Sequence, residues 1–347
     1  MSGAFIARTG FAALLICACL YGETEAERLI EAGHWKRARA IVEARFREAP
    51  ADPLANFLLS QVRNAFGDYD SPLALAEKAV SLEARTAKYH RQVAECLGVM
   101  AQHSNMVQQI FLARRFRKEI DTALSLDPHD TQAWRDLMEF YLLAPGIIGG
   151  DVHKAAETAA RLRAVDPVAG LLAEARLAEF RKQTADAEAC LRRAAAAQPP
   201  SYRGRVELAR FYLSSVPPRL DDARKPAEEA LALDPGRVDA YAILAEIHAA
   251  RGQWPELDAV LTAAGKEVPD DSVPFYRAAL RLLATGRDLP RAERYLRTYL
   301  AQPPEGNAPS AADARSQLSL VLAKEGRTAT RADASLPVEG AKTERPR

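Results

Sequence analysis

Apolar residues in this chain recur three and four positions apart and almost nowhere alternate, which predicts helices and not strands. The pattern is cleanest over residues 238–271. Tyr241, Leu244, Ala245 and His248 fall on one face of a first helix, and Leu257, Leu261 and Ala264 on one face of a second. Gly252 opens the turn between them, Trp254 follows it, and Pro269 ends the second helix. Small residues such as Ala245 allow the two helices to approach closely.

This grammar repeats along most of the chain, with a period of about 34 residues. A first, truncated unit runs from Gly33 through Trp35 and Ala38 to Pro50. A second covers residues 53–86, with Leu59, Gly67, Tyr69 and Ala79 in frame and Pro72 in place of a small residue. The third begins near Ala87 and is too long for the period, so both of its helices are expected to be extended around residues 102–105. The fourth starts at Thr131 with Trp134, Leu137 and Tyr141 on one face, then expands its turn. Four further units follow, the seventh being residues 238–271. A lone helix over residues 311–325 is placed to close the stack before Gly326.

Eight such units in register resemble the tetratricopeptide repeat superfamily, although Leu257 stands where that repeat usually has alanine. The resemblance covers residues 24–326. It implies an all-α fold, an α-solenoid of stacked antiparallel helix pairs wound into a superhelix with a concave groove. The fourth unit's turn, with Phe140-Tyr141, Ala144-Pro145, Gly149-Gly150-Asp151 and Lys154-Ala155, is similar to turns in exported bacterial tetratricopeptide proteins. Accessory subunits of some solute transporters have similar turns.

The family's groove is walled by places two, five, nine and twelve of each first helix. Carried over, these places give Phe57 in the second unit, Arg135 and Glu139 in the fourth, Arg203, Val206 and Arg210 in the sixth, and Tyr276 in the eighth. The resemblance therefore implies a non-enzymatic scaffold or adaptor that holds a protein or peptide in the groove. Its arginines, separated by apolar places, would suit an extended segment carrying acids. An accessory subunit enclosing a small molecule is the alternative, and an enzyme is the less favoured reading.

Composition changes this picture little. Of 347 residues, 48% are apolar and 27% charged, which leaves ample material for a core. The 47 basic and 46 acidic residues give a net charge of +1, no field lopsided towards nucleic acid. The start of the chain does add something. Arg8 precedes the apolar run FAALLICACL, too short for a comfortable membrane span, and the first acid is Glu23. These are the parts of an export signal over residues 1–22, implying a periplasmic or otherwise exported protein. Ile16-Cys17-Ala18-Cys19 resembles a degenerate lipobox, so cleavage before Cys19 and a lipid anchor on the envelope is the alternative to cleavage near Gly22. Residues 327–347 show no apolar period and read as a disordered tail.

Candidate chemistry is sparse. None of the 6 histidines shares a helix face with another, and HExxH, GxSxG and GxGxxG are absent. No metal, cofactor or catalytic group is called for. In GGDVHK, Asp151 is placed to cap a helix beginning near Val152, ahead of His153. Cys96 and Cys190 fall in different units and read as packing residues, not a disulfide. Arg114, Arg115, Arg117 and Lys118 read as the solvated face of an amphipathic helix.

Overall fold

The computed structural model describes residues 24–68 and 71–327. The expected leader with Cys19, Tyr69 of the second unit, and the tail beyond Arg327 lie outside the described residues. The described residues form seventeen α-helices and one short 3-10 turn, with no strand among them. The helices pair as α1 (Glu25–Ala32) with α2 (Trp35–Glu48), α3 (Pro53–Ala65) with α4 (Pro72–Leu82), and α5 (Ala87–Gln102) with α6 (Met106–Leu126). Next come α7 (Thr131–Leu143) with α8 (Val152–Val165), and α9 (Pro167–Phe180) with α10 (Thr184–Ala195). The last pairs are α11 (Tyr202–Ser214) with α12 (Leu220–Leu233), α13 (Val238–Arg251) with α14 (Trp254–Glu267), and α15 (Val273–Thr285) with α16 (Leu289–Leu300). A single helix, α17 (Ala311–Lys324), packs on α16. The fold is an all-α solenoid of stacked helix pairs of tetratricopeptide type.

Local chemistry fixes the boundaries. Thr24 and Glu27 form a reciprocal capping box at the start of α1, and Gly33 ends it in the left-handed conformation. The first unit is therefore a complete pair rather than the truncated one expected. Asp151 accepts from the backbone amides of His153 and Lys154 and so starts α8 at Val152. In the third unit the extra residues lengthen both helices, α5 ending at Gln102 and α6 starting at Met106. Ala245 has no exposed surface and packs among Leu257, Leu261, Ala278 and Leu282. Cys96 is buried in α5 beside Ser60, where burial pushes its thiol up to about 11, while Cys190 is half-buried in α10.

The winding brings the two ends of the described chain together. The backbone amide of Lys36 donates to Glu305 at 2.6 Å, and its Nζ donates to the Asp270 carbonyl. Arg37 pairs with Asp270 at 2.6 Å, and the Asn307 amide donates to the Ala65 carbonyl at 2.7 Å. The loop between α16 and α17 thus rests on the first two units.

Candidate functional site: the cavity between α7, α9 and α11

First helices of the fourth, fifth and sixth units stand side by side and enclose a cavity of about 320 Å³. Arg135 and Glu139 of α7, Arg176 and Glu179 of α9, and Arg203, Glu207 and Arg210 of α11 line it. Met138, Leu172 and Phe211 supply apolar surface between the charges. Four of the residues placed on the groove wall by sequence, Arg135, Glu139, Arg203 and Arg210, are thereby brought together.

Phe57, Val206 and Tyr276 are not on this wall. Phe57 is 2% exposed and meets the Tyr89 ring at 5.2 Å. Val206 is buried in the core around Leu244 and Ala223. Tyr276 is buried against Tyr299, with ring centroids 5.0 Å apart. All three occupy place five of a first helix. An apolar side chain there gains more by entering the contact between neighbouring helices than by facing water, whereas Arg135 at the same place stays at the cavity.

The charges inside the cavity are mostly answered. Arg176 donates to Glu139 at 3.1 Å. Arg210 pairs with Glu207 at 3.1 Å and also with Asp239. Arg135 donates to the Gln132 side chain. Arg203 differs, since no hydrogen bond or ion pair to its guanidinium exists among the described residues. Its side chain is exposed at the cavity, with neighbouring helices beside it. Partial loss of bulk water, and then the nearby Arg135 and Arg210 working against Glu207, lower its pKa from the usual arginine value. An arginine in that position favours an anion beside it.

Arg176 and Glu179 were missed by the sequence reading. They occupy places nine and twelve of the fifth unit, so the same pattern points to them. The unit is hard to frame because Lys182, with φ 59, stands where its siblings have a turn glycine. The motifs weighed for chemistry take structural places. His248 is buried and bonds Gln253 at 2.9 Å. His90 and Glu119 form a partly buried pair at 2.7 Å, and the other His90 nitrogen lies 2.9 Å from the Ala84 carbonyl. Both ring nitrogens are engaged, so this pair is a clamp between α5 and α6. Of the basic cluster, Arg115 pairs with Glu77 and Arg117 with Asp121. Among the described residues no group of three His, Cys, Asp or Glu is placed to hold a metal ion.

No protein-family model and no curated protein matches the chain. Solved structures do resemble it. Yeast Tom70 superposes with a TM-score of 0.55 at 15% identity, over 88% of this chain and 65% of that one. The chain therefore spans less than two thirds of the Tom70 structure. A tetratricopeptide repeat protein from Parabacteroides merdae gives 0.42 at 13% identity, over 85% and 95% of the two chains. The Thermus thermophilus tetratricopeptide protein TTC0263 gives 0.40 at 21% identity, over 54% and 94%. At such identities the likeness concerns the fold: this is a protein with a tetratricopeptide-like solenoid fold.

Proposed function

We propose that the protein is a non-enzymatic scaffold that binds a partner protein through an extended, acid-bearing segment laid across α7, α9 and α11. The observation that carries this reading is Arg203, an exposed cation that makes no ion pair among the described residues, in a cavity that also offers apolar surface. An acid of the partner would supply the missing countercharge. Met138, Leu172 and Phe211 would cover the apolar side chains next to it. The repeat architecture supports the reading too, since nearly every apolar position is spent on stacking. Export to the envelope belongs to the same proposal and is supported by Arg8 and the apolar run behind it. A lipid on Cys19 is its alternative form.

The test is affinity capture from envelope extract of the native host, with the wild type and Arg203→Glu. Arg203 makes no ion pair among the described residues, so reversing its charge should leave the fold intact, as circular dichroism can verify. We expect the variant to lose the partners that the wild type retains, with the loss largest at low salt. Equal recovery of the same partners would remove the cavity from the binding site. Fractionation of the host, with an intact mass of the processed chain, tests export and Cys19 separately.

A further inference from the structure

A second groove, of about 420 Å³, opens where the long third pair meets the fourth unit. The pair α5 and α6 touches α7 less extensively than other successive pairs touch one another. The gap is floored by Phe116 and Phe140, stacked with centroids 5.2 Å apart. Leu97, Leu112 and Leu143 add apolar wall. At its polar end stand Glu95 and Asp136. Asp136 accepts from the Gln132 side chain through Oδ1 at 2.8 Å, but its Oδ2 is buried with no hydrogen-bond donor among the described residues. The cations that act on it are committed elsewhere, Arg91 to Asp130 at 3.1 Å and Arg135 to the Gln132 side chain. A buried carboxylate oxygen left without a donor is costly and marks a place for one.

The rim carries a second, independent sign. Between the groove-lining Pro145 and Ile148, Ile147 is 81% exposed. The turn that holds it there is firmly built. The amides of Ile148, Gly149 and Asp151 donate to the carbonyls of Pro145, Gly146 and Tyr141. A Cβ on Gly150 would lie 1.6 Å from the Ala144 carbonyl oxygen, so only glycine fits. An exposed apolar side chain between two groove-lining residues, with Leu143 of the lining also exposed, adds apolar surface at the rim.

We propose that this groove receives a segment of a partner protein in which apolar side chains flank a lysine or arginine, the cation seating on Asp136. Charge selects the cation, because Glu95 and Asp136 face the groove without a paired base. The reach of the apolar rim past the cavity selects a stretch of polypeptide over a small solute. Glu139 lines both cavities, but Asp136 and Ile147 do not line the one around Arg203, so the inference survives the failure of that site.

The experiment titrates the full chain with a short capped peptide of leucine and alanine bearing one central lysine, and with its glutamate counterpart. We expect the lysine peptide to bind about tenfold more tightly or better. Asp136→Asn should erase that preference. Ile147→Ser should weaken the lysine peptide, and Arg203→Glu should leave it unchanged. Ile147 is exposed, so its variant keeps the test readable even if the Asp136 variant misfolds. Equal binding of the two peptides, a preference that persists in Asp136→Asn, or binding of octylammonium without binding of the lysine peptide would each overturn the proposal.

Discussion

The backbone amide of Lys36 and the carboxylate of Glu305 are 269 positions apart in the chain and 2.6 Å apart in space. Glu305 also accepts from the Gly306 amide and is only 5% exposed, so the contact is an enclosed one. A solenoid gains most of its stability from neighbours in the stack. Here the first unit has in addition a partner from the far end, which ties the two ends of the array together. The closure walls a further cavity of about 490 Å³, lined by Trp35, Arg210, Asp239, Asp271 and the Gly306–Pro309 loop. Arg210 lines this cavity and the one around Arg203 alike.

Gly306 gives a handle on that closure. A Cβ at this position would lie 2.6 Å from Cβ and Cγ of Trp35, closer than packed atoms tolerate. Gly306→Val should push the loop off the first unit while leaving the stack of helices intact. Small-angle scattering should show a larger radius of gyration, with helicity by circular dichroism unchanged. An unaltered radius would mean that the two ends are not held by this contact.

Asp136 predicts a pH effect of definite sign. Burial first, with Glu95 adding, pushes its carboxyl up to about 6, against an ordinary value near 3.9. The folded protein therefore holds this proton more tightly than the unfolded chain does. The site is free of cost below about pH 4, and stability declines as pH rises through 6. Asp136→Asn has no such charge to bury. It should exceed the wild type by roughly 1–2 kcal/mol at pH 7, allowing for partial solvent relief of the shift, and match it near pH 3.5. Urea titrations at the two pH values check both halves.

Glu188 should behave in the opposite way. Hydrogen bonds from Arg219 foremost, and then from Arg192 and Tyr212, pull its carboxyl down to about 2. Its Oε2 lies 2.6 Å from Arg219 and its Oε1 3.1 Å from the Tyr212 hydroxyl, tying α10 to the sixth unit. A depressed pKa adds stability above the ordinary carboxylate value and loses it as pH falls towards 2. Glu188→Gln should cost about 1–2 kcal/mol at pH 7 and almost nothing at pH 2. A cost that does not vary with pH would point to lost packing instead.

The uneven legibility of this molecule has a physical origin. Gly252, Leu257 and Ala245 announce their roles because packing within one unit depends on residues a few turns apart. The same locality exposed Arg135, Glu139, Arg203 and Arg210, which fall at wall places two, five and nine of the fourth and sixth units. It misled at Phe57, Val206 and Tyr276, because place five faces both the groove and the next first helix, and side-chain polarity decides between them. Glu305 could not be read at all. The meeting of Lys36 with Glu305 depends on small rotations accumulated over every unit, and no local pattern records their sum. Asp136 was equally silent, being one acid among many on polar helix faces until the long α5 and α6 leave a gap beside it.

Ala245 offers the sharpest test of the helix interface itself. It has no exposed surface, and it packs in one cluster with Leu257 of α14 and with Ala278 and Leu282 of α15. Leucine there would force added methylene groups into a contact with no room for them, at a cost of roughly 1–3 kcal/mol. Ala232 lies exposed on α12 and serves as the control, since Ala232→Leu adds the same atoms where water can accommodate them. Because each unit leans on its neighbours, Ala245→Leu should weaken the junction between the seventh and eighth units and broaden the urea transition as well as lower its midpoint. Two variants with the same midpoint would mean that α13 meets α15 through some other face.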